Sequence, residues 1–178
     1  MFVMGKDYLI LTAIGPDQVG LVQKISAFIS GHGCNIEDSN MAVLHGEFAV
    51  IFLFTGDRER FEKIADDSQK LESETGLSIA VKIPPTRSLA AGYRRYRLTA
   101  SCMDHPGVVY QLSAVLGGLG INIESMETKT YPAPISGTPL FQLDAQIAVP
   151  PNVDYRELRK RFEEIQEREN IDVETWEE

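Results

Sequence analysis

The chain has 178 residues, 43% hydrophobic and 24% charged, with 26 acidic against 17 basic side chains and a formal net charge of −9. That is ordinary globular composition, and no apolar run reaches the roughly 20 residues that cross a bilayer. Both halves are acidic (−5 over residues 1–85, −4 over 86–178), so neither is drawn to a phosphate backbone, and a membrane protein or a direct nucleic-acid binder is not expected.

The opening residues, Met1 to Lys6, lack the basic lead and small-residue cleavage site of a signal peptide. A cytoplasmic location is expected. A short apolar strand follows at Tyr8–Ala13, then a turn at Gly15-Pro16-Asp17-Gln18. Leu21, Val22, Ile25, Phe28 and Ile29 recur at helical spacing. Gly31 and Gly33 stop that helix, glycine taking the left-handed closing conformation without strain. The next strand starts at Cys34-Asn35-Ile36 and turns tightly at His45-Gly46 into Phe48–Phe54. Phe61, Ile64, Ala65 and Leu71 mark a second helix, and Leu77–Ile83 closes the set.

From Tyr96 the chain begins again. Shifted by 87 residues, Thr12–Glu37 lies over Thr99–Glu124 without a gap, and 12 of those 26 positions are identical. The second copy has a strand at Tyr96–Ser101, a turn at Met103-Asp104-His105-Pro106 and a helix marked by Val108, Val109, Leu112, Val115, Leu116 and Leu119. Gly118 and Gly120 end it, Ile121-Asn122-Ile123 starts a strand, and the return to Leu140–Val149 runs through a longer Pro-rich tip. Tyr155, Leu158, Phe162 and Ile165 mark the last helix, and Ile171–Trp176 the last strand. A fixed-offset repeat of this length reads as two similar domains in tandem. The order βαββαβ, twice, predicts an α+β chain of two ferredoxin-like units, each a four-stranded antiparallel sheet with both helices on one face. The expected boundaries are 1–85 for the first unit, 86–94 for a linker and 95–178 for the second. Arg87, Arg94, Arg95 and Arg97 cluster around that linker, as solvated charge or as a phosphate or partner contact.

Phe48–Phe54 is apolar on both faces, whereas Phe141–Val149 alternates. Helices cover one sheet face only. The first unit's open face or extended edge is therefore expected to be buried against another domain or subunit, and dimerisation follows.

What the repeat preserves is Asp-x-x-Gly before a helix and Asn-Ile-Glu at the start of the next strand. Asp17, Gly20 and Asn35 answer to Asp104, Gly107 and Asn122. If loop and strand start share one end of the sheet, helix N–H groups face an anion there and the Asn amide adds a donor and an acceptor. A zwitterionic amino acid needs both kinds of group. The same residues also suit a structural role: the Asp side chains as helix caps, the glycines for close packing, the Asn residues securing their loops. Cys34 and Cys102 do not correspond under the repeat and read as reduced, partly buried thiols. His32, His45 and His105 are scattered, and neither a metal-binding spacing nor a phosphate-binding Gly-rich loop is present. No catalytic residue, metal or cofactor is expected, and the chain does not read as an enzyme.

The βαββαβ order, with Asp-Gln-Val-Gly-Leu-Val and Asp-His-Pro-Gly-Val-Val at the first loops, resembles the ACT domain, twice over nearly the whole chain. The stretch Gly33–Ser39 and the segments Gly46–Phe48 and Phe52–Gly56 resemble tandem ACT regulators of transcription. The resemblance implies an amino-acid-binding regulatory module. Its ligand contacts would be Asp17, Gln18, Val19, Gly20 and Asn35, with Asp104, His105, Pro106, Gly107 and Asn122. It further implies a small effector, glycine or serine, and action through a protein partner such as a transcriptional activator. A ligand-free interaction scaffold is the alternative.

Overall fold

The computed structural model describes residues 7–85 and 92–178. The chain forms two compact units, Met1–Arg87 and Ser88–Glu178. The first runs β1 (Asp7–Pro16), α1 (Leu21–Gly31), β2 (Asn35–Leu44), β3 (Glu47–Gly56), α2 (Arg58–Thr75) and β4 (Ser78–Lys82). The second repeats it as β5 (Arg94–Met103), α3 (Val108–Gly118), β6 (Asn122–Pro132), β7 (Pro139–Val149), α4 (Tyr155–Glu169) and β8 (Asp172–Glu177). Each unit holds one antiparallel four-stranded sheet, in the orders β2-β3-β1-β4 and β6-β7-β5-β8. This is the ferredoxin-like arrangement that the order of elements predicts.

Each unit has its own core. In the first, Leu9, Leu11 and Ala13 of β1 and Phe48, Val50, Phe52 and Phe54 of β3 meet Leu21, Ile25 and Ile29 of α1 and Phe61, Ile64 and Leu71 of α2. Val22 and Ala65, expected on those helix faces, point outward. In the second, Val108, Leu112 and Leu116 of α3 and Leu158, Phe162 and Ile165 of α4 cover the inward residues of β5 and β7. The closing glycines divide their work: Gly31 and Gly118 are the last helical residues, and the left-handed turn falls on Gly33 (φ 71°) and Gly120 (φ 68°). Cys34 and Cys102 are both free thiols, the first buried and the second half-buried. Among the described residues no helix is long and apolar enough to cross a membrane.

β5 begins at Arg94, inside the stretch expected as linker, of which 86–91 lies outside the described residues. The strand explains the arginines. Arg94 lies over the Tyr96 ring at 5.7 Å, Arg95 pairs with Glu124 at 3.1 Å and Arg97 with Asp144 at 2.6 Å. Three of the four expected cluster members are thus engaged on the sheet, and Arg87 lies outside the described residues.

The two faces of β3 are both apolar, as its composition predicts. Phe48, Val50, Phe52 and Phe54 are buried inward, while Ala49, Ile51 and Leu53 lie on the open face. In β7 the corresponding open-face residues are Gln142, Asp144 and Gln146. The Arg97 hydrogen bonds hold the Asp144 carboxyl below the usual carboxylate range.

The outer strands differ in how they end their sheets. On β4 the Ile79 N–H donates to Glu72 Oε1 at 2.6 Å, and on β8 the Tyr155 hydroxyl donates to the Thr175 carbonyl at 2.9 Å. Side chains of α2 and α4 therefore occupy outward backbone groups of these edges, a common way of blunting them.

Candidate functional site: the paired loops before α1 and α3

At the end of β1 the Asp17 N–H donates to the Gly46 carbonyl at 2.8 Å, and at the end of β5 the Asp104 N–H donates to the Pro139 carbonyl at 2.9 Å. Each loop is thereby tied to its neighbouring hairpin. In the first unit that hairpin turns on His45 (φ 51°) and Gly46 (φ 85°), the two left-handed residues of a primed two-residue turn.

Gly20 and Gly107 follow, with φ of 93° and 101°. A Cβ on Gly20 would meet no atom within 4 Å, and one on Gly107 only Gln111 Nε2 at 3.9 Å. These glycines are required by backbone conformation, not by close packing. Neither aspartate is a cap. Gly20 and Gly107 occupy the N-cap positions, and neither helix has a side-chain cap bond or an acidic residue in its first turn. The partner helices are built the opposite way. Asp57 caps α2 by accepting from the Arg60 N–H, Asp154 caps α4 by accepting from the Arg156 N–H, and both helices carry a glutamate in the first turn. Only the repeated loops leave helix N–H groups without a side-chain acceptor, which is where an anion gains most from the helix dipole. Asp57→Ala is therefore expected to lower stability by about 1 kcal/mol, while Asp17→Ala leaves it within about 0.5 kcal/mol. Parallel urea titrations check both.

Asp17, Gln18, Val19, Asp104 and Pro106 are exposed, and His105 is half-buried with Nδ1 3.2 Å from the Pro106 carbonyl. The residue four beyond the glycine lies in the first turn of each helix and reaches the last turn of the partner helix. Lys24 Nζ donates to the Glu74 carbonyl at 3.2 Å. Gln111 hydrogen-bonds Glu169, whose carboxyl is held below the usual range first by Arg168 and then by Gln111. A cavity of about 380 Å³ beside the second loop is lined by Cys102, His105, Tyr131, Glu169 and Asp172 among others. Burial pushes the Cys102 thiol up. Of the ten candidate residues, only His105 reaches this cavity. Among the described residues no group of three or more His, Cys, Asp or Glu side chains could hold a metal ion.

The Asn residues are elsewhere. Asn35 lies opposite Thr55, which lies opposite Tyr8 at the start of β1; Asn122 lies opposite Ala148, which lies opposite Arg95. The loops stand at the other end of the same strands, about 26 Å away at 3.3 Å per residue. The expectation that loop and strand start share one end of the sheet is wrong within a unit. After β1 ascends, α1 descends, so β2 begins where β1 began.

At that far end Asn35 has local work. Its Nδ2 donates to Glu37 Oε1 at 3.2 Å, and the Thr55 hydroxyl donates to the same oxygen at 3.0 Å. The ladder carries a β-bulge between Ile36 and Asp38, and another between Ile123 and Ser125. The repeated glutamate is thus the bulge residue in both units. Sequence reasoning missed it, although an invariant triplet followed by lost alternation is a readable sign of a bulge.

Two sheets of one fold, each with a bare helix start at the same loop, define a duplicated ferredoxin-like module. The family model described as the ACT domain matches residues 7–82, so the first unit is an ACT domain, and the second unit repeats its fold. The chain is 26% identical over 165 residues to the glycine cleavage system transcriptional repressor of Escherichia coli (strain K12), covering 93% of this chain and 87% of that one. It is also similar to a UPF0237 protein of Methanosarcina mazei, 31% identical over 80 residues, or 45% of this chain and 85% of that one. Among solved structures, an unknown protein from Galdieria sulphuraria superposes with a TM-score of 0.83 at 29% identity, over 98% of this chain and 99% of that one.

Proposed function

We propose that this protein is a non-enzymatic regulator that responds to a small amino acid, glycine or serine, and acts through a protein partner. The observation that carries the reading is the contrast within each unit: α2 and α4 are capped and acid-started, while α1 and α3 start bare at the one loop the chain repeats. A carboxylate placed there satisfies N–H groups that no side chain satisfies. Asp17 or Asp104 would receive the ammonium group, with Gln18, Val19 and Gly20, or His105, Pro106 and Gly107, forming the floor.

Asn35 and Asn122 join such a site only if a second copy of the chain lies antiparallel along the β2 or β6 edge. That apposition sets the loop end of one sheet beside the strand start of the other. The helix-capped edges are β4 and β8, which leaves β2 and β6 as the edges suited to it. A ligand held by groups from two copies favours the joined arrangement and shifts the population toward it, which is how binding becomes regulation. The partner reading rests on the relative's name, a transcriptional repressor, and on the net charge of −9, which disfavours direct grip on DNA. A transcriptional activator is a partner of the right class.

The test is thermal unfolding of the full chain in the presence of each amino acid. At 100 times its dissociation constant a ligand adds about 2.7 kcal/mol. A rise with glycine or serine that is lost in Asp17→Ala and Asp104→Ala supports the reading. Unmoved curves for all twenty at millimolar concentration would leave an interaction scaffold with empty loops.

A further inference from the structure

The open face of the first unit is unlike that of the second although the fold is the same. Reading across the sheet in strand order, one row on this face is Asp38, Leu53, Ile10 and Lys82, each opposite the next in the ladder. The next row is Asn40, Ile51, Thr12 and Ala80. The second unit's equivalent of the first row is Ser125, Gln146, Arg97 and Trp176. An apolar open face is therefore not a demand of the fold. Ile51 is 42% exposed and Ile14 56% exposed on it, and contiguous apolar surface of this kind marks an interface.

From the arrangement of charge in these rows we propose that two copies of the chain pack their first-unit sheets face to face, about a two-fold axis parallel to the strands. Sheets stack about 10 Å apart with their strands within about 30°. The axis falls between β3 and β1, the two central strands, so β3 of one copy faces β1 of the other and β2 faces β4. Under that operation the first row meets itself reversed. Leu53 faces Ile10 of the second copy, and Asp38 faces its Lys82. Negative end meets positive end twice, with the apolar pair between them. The row is self-complementary, the requirement of an isologous contact. Neither Asp38 nor Lys82 has an ion-pair partner among the described residues of its own chain; Asp38 accepts only the N–H of Ser39, at 2.7 Å. A two-fold axis perpendicular to the sheet would serve edge pairing and leave this face uncovered. The contact uses none of the loop or β2-edge groups of the ligand site, so either assignment can fail without the other.

Sedimentation equilibrium of the full chain tests it, with circular dichroism confirming that each variant is folded. The wild type is expected to dimerise. Ile51→Lys, which puts a charge in the middle of the face twice per dimer, is expected to weaken the dimer at least about a hundredfold. Asp38→Lys and Lys82→Asp should each weaken it about tenfold by setting like charges opposite one another, and the double swap should restore it. Restoration is the deciding result, because Asp38→Lys also removes the bond to Ser39 and a merely local effect would persist in the double variant. A monomeric wild type through the micromolar range overturns the proposal. So does a dimer indifferent to Ile51→Lys, or one in which the swap fails to rescue.

Discussion

A Phe54→Ala variant is expected to lose about 3–5 kcal/mol of stability, the largest effect of any single truncation on β3. Phe54 is fully buried, sits opposite Leu9 on β1 and Ile36 on β2, and meets the Phe61 ring edge-on at 6.3 Å and 84°. Removing the ring takes a buried aromatic from the sheet side of the core and leaves a cavity between three strands and α2. The rigid backbone ladder on both sides limits how far that cavity can collapse. Small domains are stable by only about 5–15 kcal/mol, so the loss is a large share of what holds the first unit. Ile51, three residues earlier on the opposite face, provides the control. Ile51→Ala takes nothing from the helix-side core and should cost under about 1 kcal/mol in the monomer. Urea denaturation followed by far-UV circular dichroism separates the two. Trp176, the one tryptophan of the chain, lies in the second unit and would not report on the first. Equal midpoints for the two variants would mean that the assignment of faces on β3 is wrong.

Glycine substitutions should change stability in opposite directions at two positions of the repeat. Gly20→Ala is expected to destabilise by about 1–2 kcal/mol, the cost of a Cβ in a left-handed conformation, with no steric clash involved since the space around it is open. Gly31→Ala should stabilise by about 0.5–1 kcal/mol. It ends α1 with ordinary helical φ and open space around it, so alanine there only restricts the unfolded chain and improves helix propensity. Gly107 and Gly118 should repeat the pattern in the second unit, because their surroundings match. Thermal melts of the four variants decide it. If Gly20→Ala were neutral, the left-handed N-cap would not be a constraint, and the bare helix start would lose its geometric basis. Amino-acid binding should fall with the Gly20 and Gly107 variants and survive the other two.

Much of the fold was legible because the chain states it twice. The match of Thr12–Glu37 to Thr99–Glu124 sets the unit, the 3.6-residue stripes set the helices, and the doubly apolar run Phe48–Phe54 marks a sheet face that something must cover. The candidate residues stand out as a repeated set, but their places in the sheet do not. Spacing along the chain says that Gly20 and Asn35 are 15 residues apart; it does not say that an intervening helix carries the second back to the far end of the sheet. Close packing is one role the spacing allows Gly20 and Gly107, because spacing carries no sign of φ. Asp17 and Asp104 look like caps in one dimension, yet each stands three residues before the glycine that occupies the N-cap, and its N–H is committed to the hairpin beside it. The arginines near residue 94 looked like linker charge because nothing in composition pairs Arg95 with Glu124 or Arg97 with Asp144 across strands.

The bulge at Glu37 also determines where β2 can change length. Ile36 stands opposite Phe54 and Asp38 opposite Leu53, so Glu37 is the surplus residue between two neighbouring rungs. Losing or gaining a residue there leaves every rung on either side where it is. The same change anywhere from Ser39 to Val43 inverts the rest of the strand, turning Ala42 inward and Val43 outward or misaligning the His45-Gly46 turn. Glu124 holds the same position in β6. Each unit thus has one site in its second strand that absorbs an insertion or deletion, and tolerance of such changes in related chains should be confined to it.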